Sequence, residues 1–122
     1  MRVYNFDNII PNNSVMNTNL QSRAMQIGNY IGYAIQVVFT GTPTGTFSLQ
    51  GSNDEVLNKA FNYQPTNWTT LSNSSNAVSG PGSFIWNIQE PYYTWVKLVY
   101  TDGSGGASTA ILTVSTFNAK GF

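Results

Sequence analysis

The chain has 122 residues, of which 41% are hydrophobic and 14% aromatic, and its five basic and five acidic side chains give a net charge of zero. This length suits one domain around one core, and the absence of histidine and cysteine leaves no imidazole base, thiol nucleophile or thiolate metal site. Charged residues are scattered and make up only 8% of the chain, against about 25% in typical domains. We therefore expect no nucleic-acid partner, since phosphate binding requires clustered basic residues.

The N-terminal segment predicts a short edge strand followed by a loop. Residues 2–6 alternate in the manner of a strand, whereas residues 7–20 are rich in asparagine, contain Pro11 and show no sustained period. We interpret residues 1–20 as an N-terminal arm and residues 21–122 as the folded domain. The first residues do not resemble a signal peptide, and no apolar run approaches the ~20 residues of a membrane span, so we expect no membrane partner.

The clearest strand of the chain is predicted over residues 31–40, after a short strand over 22–27. Its core face would consist of the alternate residues Ile31, Tyr33, Ile35, Val37 and Phe39. The Gly/Pro-rich residues 41–45 predict a turn, with residues 46–51 returning as the hairpin partner. This turn lacks the lysine and the following helix of a phosphate-binding loop.

The second half predicts further strands separated by loops. Residues 52–66 form an insertion, with a helical turn over 55–61. The expected strands or brief pairings are 68–71, 77–78, an inward alternation of Phe84, Trp86 and Ile88, a central strand over 95–101 buried on both faces, and a last strand over 110–117. Residues 102–106 predict a hairpin loop, and Trp68, Trp86 and Trp95 are expected to pack between sheets.

This pattern predicts an all-β fold. About seven or eight strands at regular spacing, without an amphipathic helix, indicate a single antiparallel β-sandwich that is jelly-roll-like.

The acidic residues do not predict catalysis. Five acids are present, but no pair of them stands out as a general acid and base, so we expect no enzyme activity. Asp54 is expected to cap its own turn by accepting backbone N–H groups. A Ca²⁺ site, using Asn53, Asp54 and Glu55 or using Asp102, is the less favoured interpretation, and we expect no metal and no cofactor.

Several segments in order resemble a group of small bacteriophage virion structural proteins. They are GYAIQVVFTGTPTGTF at 32–47, QGSND at 50–54, NW at 67–68, GSFIWN at 82–87, WVKLVYT at 95–101 and AKG at 119–121. The resemblance extends from about residue 22 to residue 121 and excludes the arm, and residues 55–65 are longer than the tight turn expected there. It implies a virion protein, capsid-associated or tail-associated, that assembles in the bacterial host cytoplasm. With the low charge and the Asn-rich arm, it favours a capsid-associated component, a decoration, cementing or minor capsid protein. On this interpretation we expect the major capsid protein and further copies of the chain as partners, with a trimer favoured among symmetric clusters.

A weaker resemblance, to discoidin-like jelly-roll modules, covers only residues 50–71. There too a strand ending in a Ser-Asn-Asp turn precedes a strand that contains a tryptophan. Such modules bind glycans or lipids through loops at one end, so this resemblance is compatible with the alternative function, a tail or spike-tip module that recognises host-surface glycan.

The residues expected to contact a partner lie in the arm and in loops. Exposed apolar and aromatic side chains are the usual anchors of interfaces, and aromatic rings also stack on sugars. The candidates are Asn5, Phe6, Ile9, Ile10 and Pro11 in the arm, and Tyr63, Tyr92 and Tyr93 in loops.

Overall fold

The computed structural model describes residues 2–54 and 64–121, and within them all regular structure is β-strand. The strands are β1 (Arg2–Asp7), β2 (Ser14–Val15), β3 (Leu20–Gln21), β4 (Met25–Gln26), β5 (Tyr30–Thr40), β6 (Gly45–Ser52), β7 (Thr69–Thr70), β8 (Asn76–Val78), β9 (Gly82–Gln89), β10 (Trp95–Asp102) and β11 (Ile111–Gly121).

The strands form two antiparallel sheets. The first sheet has the order β1-β11-β5-β9, with β2 also paired to β11. The second sheet has the order β3-β10-β6-β7, with β4 also paired to β10 and β8 to β6. Their inner faces share one hydrophobic core, so the predicted β-sandwich is confirmed.

Alternation along the long strands builds this core. On β10, Val96, Leu98 and Tyr100 are fully buried, because successive side chains of a strand point to opposite faces. Phe47 of β6 lies at the centre, with its ring centroid 4.8 Å from that of Tyr100 and 5.6 Å from that of Phe39 on the opposite sheet. Aromatic contacts therefore join the two sheets.

The predicted hairpin over residues 41–51 is wrong. β5 is paired on one side with β11 and on the other with β9, so neither edge of β5 is left for β6, which pairs with β10 in the second sheet. The connection begins at Gly41, whose φ of +85° suits glycine. A Cβ there would lie 2.9 Å from the Cα of Ala110, so the chain crosses between the sheets at a point of close backbone approach.

The predicted hairpin loop over residues 102–106 is a second crossing of this kind. It connects β10 of the second sheet with β11 of the first, because β10 is already flanked by β6 and by β3 and β4. The predicted central position of β10 is confirmed, but only its inner face is buried. Trp95, Lys97 and Val99, which alternate with the core residues, are half-buried.

Three of the side chains assigned to the core lie elsewhere. Ile31 is 38% exposed, because the β5–β11 register shifts between Lys120 and Gly121, next to this end of β5. Trp86 is buried as expected, whereas Trp95 alternates with the buried Val96 and therefore faces outward. Trp68 packs outside the second sheet, with the ammonium of Lys97 4.5 Å from its ring centroid.

The N-terminal segment belongs to the same packed unit as the rest. The predicted edge strand is present as β1, which pairs with β11 from Arg2 to Asp7. Ile9, Ile10 and Met16 lie in the core. The other short predicted strands appear as β7 and β8, while residues 22–27 contribute only β4; the helical turn expected over 55–61 lies outside the described residues.

Three buried serines supply hydrogen bonds at the sheet edges where the edge strand is interrupted. β7 and β8 pair with β6 on either side of Leu49, and the Ser74 hydroxyl accepts from the Leu49 N–H at 3.1 Å. Likewise β3 and β4 flank Leu98, whose N–H donates to the Ser22 hydroxyl at 2.8 Å. Such bonds satisfy buried backbone groups that lack a ladder partner.

In the first sheet, a serine hydroxyl makes equivalent hydrogen bonds to the segment between β1 and β2. The Ser115 hydroxyl accepts from the Ile10 N–H at 3.0 Å and lies 3.1 Å from the Ile10 carbonyl oxygen, to which it donates. This serine therefore holds the segment after β1 against β11.

Candidate functional site

The outer face of the first sheet carries few charged residues. β5 and β9 carry no charged residue, Lys120 is the one charged residue of β11, and β1 adds Asp7 to this face. The register aligns Asn5, Asn118, Ala34 and Asn87 across the four strands. Val3, Val114 and Ile85 are exposed on this face, Ile85 by 65%, so neutral polar groups alternate with solvated β-branched side chains.

β9 presents an open edge beside this face. Glu90 N–H donates to the Ile31 carbonyl at 2.8 Å, which makes Ile31 and Glu90 a hydrogen-bonded pair in the β5–β9 ladder. Because such pairs alternate along an antiparallel ladder, the backbone groups of Ser83, Ile85 and Asn87 point away from β5. In residues 2–54 and 64–121, no strand pairs with β9 on that side.

A groove of about 320 Å³ lies on the opposite side of the sandwich. It is lined by residues of β1 and β4, the outer strands of the two sheets on this side, and by the start of β5. The lining residues are Tyr4, Phe6, Arg23, Ala24, Met25, Gln26, Asn29, Tyr30 and Trp95. They combine aromatic rings with amide groups and one cation.

The rings in the groove pack against one another. The Tyr4 ring centroid lies 4.7 Å from that of Phe6 and 5.9 Å from that of Tyr30. Tyr4 is 44% exposed, because β1 is an edge strand and nothing in the described part of the chain covers it there. The contacts with Phe6 and Tyr30 hold its ring in place while one side remains open to solvent.

A β-bulge directs Arg23 into the groove. The chain advances four residues from Gln21 to Met25, while its partner strand β10 advances three, from Val99 to Val96. An extra residue of this kind turns a side chain out of its regular direction. The Arg23 guanidinium lies 4.2 Å from the Phe6 ring centroid, and the Arg23 N–H donates to the Ile9 carbonyl at 3.2 Å.

Asp54 and Asp102, two of the three acidic residues considered for Ca²⁺, accept hydrogen bonds from backbone N–H groups. The Asp54 carboxylate accepts from the backbone N–H groups of Thr66 at 2.7 Å and Asn67 at 3.1 Å. It binds backbone N–H groups as predicted, but these two belong to the far end of the insertion and not to its own turn. Among residues 2–54 and 64–121, no three acidic residues come together as metal ligands; Glu55 lies outside those ranges.

Asp102 organises the second crossing between the sheets. Its carboxylate accepts from the Ser104 N–H and hydroxyl and from the Gly106 N–H, at 2.9, 2.6 and 3.1 Å. These hydrogen bonds, led by the one from the Ser104 hydroxyl, lower the pKa of Asp102 below its ordinary value.

Tyr93, a predicted contact residue, joins the core. Its hydroxyl lies 2.6 Å from the hydroxyl of Tyr33, and its ring lies over Gly51, where a Cβ would approach within 3.1 Å. Burial raises the pKa of both tyrosines. Tyr93 therefore packs against its own chain.

The other predicted contact residues are spread over separate surfaces. Asn5 and Pro11 are exposed and Phe6 is half-buried in the groove, whereas Ile9 and Ile10 are 3% and 1% exposed. Tyr92 is 90% exposed in the loop before β10, and Tyr63 lies outside the described residues. Among the described residues, the structure thus does not bring the arm and Tyr92 into one site, and burial in the core withdraws Ile9 and Ile10 from any docking surface.

Ile85 and Arg23, which define the two surfaces, were not among the predicted contact residues. Ile85 carries a readable signal, since it falls between Phe84 and Trp86 on the outward side of the alternation. Arg23 carries none, because its direction depends on a bulge that periodicity does not reveal.

No protein-family model matches the sequence, and a search of curated proteins finds no match. In the described ranges, no helix has the length and apolar character needed to cross a membrane.

Proposed function

We propose that the chain is a structural component of a bacteriophage virion, associated with the capsid as a decoration, cementing or minor capsid protein. The phage character rests on the sequence resemblance. The observation that carries the structural role is the uncharged open edge of β9 beside the charge-poor outer face of the first sheet.

An open strand edge suits one kind of occupant, a strand of another protein. Backbone groups that point away from the sheet are satisfied when a partner adds a strand there. Since β9 contains no charged residue and no proline, neither charge repulsion nor a missing N–H opposes such pairing. We propose that a shell subunit, the major capsid protein, supplies the strand.

The adjoining face would add a second contact. Ile85 loses exposure when a strand covers β9, and burying its side chain contributes about 1.5–3 kcal/mol at most. Each contact is modest, but a symmetric cluster of copies, with a trimer favoured, would multiply it through avidity.

Copy number per particle tests this proposal. Purified virions are analysed by quantitative mass spectrometry against the major capsid protein. We expect hundreds of copies, as a shell-covering component requires. A handful of copies in multiples of three or six would instead support the tail or spike-tip alternative, and absence from the particles would contradict both virion locations.

A further inference from the structure

We propose that the groove between β1 and β4 binds an acidic carbohydrate, a sugar residue that bears a carboxylate. This inference concerns a surface on the opposite side from β9, and it holds for a capsid or a tail location. It therefore stands apart from the structural role.

The aromatic rings provide a platform for a sugar ring. Tyr4 is the most exposed of them, and its contacts with Phe6 and Tyr30 at 4.7 and 5.9 Å keep its orientation fixed. A rigid, partly solvated ring buries the apolar C–H face of a sugar with little loss of side-chain entropy. Trp95 lines the same groove.

The amides supply hydrogen bonds of the kind that sugar hydroxyls need. Gln26 and Asn29 line the groove, and each side-chain amide offers an acceptor oxygen and two donor hydrogens. Two neighbouring hydroxyl groups of a sugar can each donate and accept a hydrogen bond, so they can bind both the oxygen and the nitrogen of one amide. The groove volume of about 320 Å³ lies at the small end of ligand sites, which span roughly 300–1,000 Å³, and suits a terminal residue of a glycan.

The guanidinium selects for a negative charge. Arg23 is the single charged residue among those that line the groove, and no described acidic side chain forms a hydrogen bond with it. Its plane is held over the Phe6 ring by a cation–π contact at 4.2 Å. A planar guanidinium binds a carboxylate through two parallel hydrogen bonds, so the carboxylate of a sugar acid is the expected anchor.

Titration of the full chain with small glycosides, followed by NMR, tests the site. The probes are methyl β-glucuronoside, the methyl glycoside of N-acetylneuraminic acid, and methyl β-glucoside as the neutral control. We expect an acidic probe to shift the Arg23 side-chain and Trp95 indole signals and to bind about tenfold more tightly than the glucoside, the margin of one charge-assisted bond. Which acidic probe binds more tightly distinguishes a uronic acid from a sialic acid.

Matched variants separate charge from stacking. Arg23→Gln should remove the tenfold preference for the acidic probes over the glucoside, while Tyr4→Ala should weaken binding of all three probes. Tyr92→Ala, at an exposed tyrosine outside the groove, should change nothing. Absence of shifts at millimolar probe, shifts that map to another surface, or an acidic preference retained in Arg23→Gln would overturn the proposal.

Discussion

The edge formed by β9 differs from the other three sheet edges. Those three are interrupted: β1 and β2, β3 and β4, and β7 and β8 each share one long partner strand. Buried serine hydroxyls bridge the gap at each of them. β9, by contrast, is one strand of eight residues paired without a register shift.

The difference shows which edge is available to another protein. Short strands and bulges are among the devices by which proteins prevent unwanted strand addition. Within residues 2–54 and 64–121, three sheet edges carry such protection and β9 does not. The centre of β9 also exposes Ile85. We infer that the unprotected edge is kept for a partner, and the predictions below test both halves of this contrast.

The largest loss of stability is expected from a substitution in the core that joins the two sheets. Phe47→Ala removes a fully buried ring that contacts Phe39, Trp86 and Tyr100, and it should lower the free energy of unfolding by about 3–5 kcal/mol. Urea denaturation measures this. Ile85→Ala serves as the control, because an exposed side chain should cost no more than about 0.5 kcal/mol; equal losses would mean that Ile85 belongs to the core.

The second-largest loss of stability is expected from removing one of the buried serine hydroxyls. Ser74→Ala leaves the buried Leu49 N–H without the acceptor at 3.1 Å and removes the hydroxyl that donates to Leu71 at 2.8 Å, at a cost of about 1–3 kcal/mol. Hydrogen exchange should also show faster exchange of the Leu49 amide. Ser83→Ala on the exposed face of β9 is the matched control. An unchanged Leu49 amide in Ser74→Ala would show that the hydroxyl does not seal this edge.

A smaller effect is expected from acid at the second crossing. The pKa of Asp102 is lower in the folded chain than its ordinary 3.8, so its stabilising contribution is fully present above the unfolded value and is lost as the pH falls through the lower folded value. Thermal unfolding of the native chain and of Asp102→Asn, recorded from pH 7 to pH 2, should therefore converge at the acid end. A difference that persists unchanged to pH 2 would contradict this assignment.

Much of the fold was predictable, because burial on one face leaves a period of two in the sequence. The alternation of Tyr33, Ile35 and Val37 and that of Phe84, Trp86 and Ile88 identified strands and their inner faces. The pairing of strands was not predictable in the same way. Residues 41–45 have the composition of a hairpin turn, but β5 is enclosed by β11 and β9, which are distant in sequence.

The candidate surfaces were less predictable than the fold. Ile9 and Ile10 are apolar residues in a segment without a period, so the sequence does not show that Ser115 and the core hold them. The groove depends on residues from separate strands and on the bulge at Arg23. Only Ile85 could have been identified, as an apolar residue on the outward side of a strand.

Incorporation of two lysine variants into particles tests the role of β9 most directly. Ile85→Lys places an ammonium at the centre of the open edge, whereas Thr70→Lys places one on the exposed strand β7 of the second sheet. Both should unfold within about 0.5 kcal/mol of the native chain. In a competition between variant and native protein for assembling particles, we predict that Ile85→Lys is incorporated at least about tenfold less, since a loss of about 1.4 kcal/mol suffices for this, and that Thr70→Lys is incorporated normally. Equal incorporation of the two variants would contradict docking through β9.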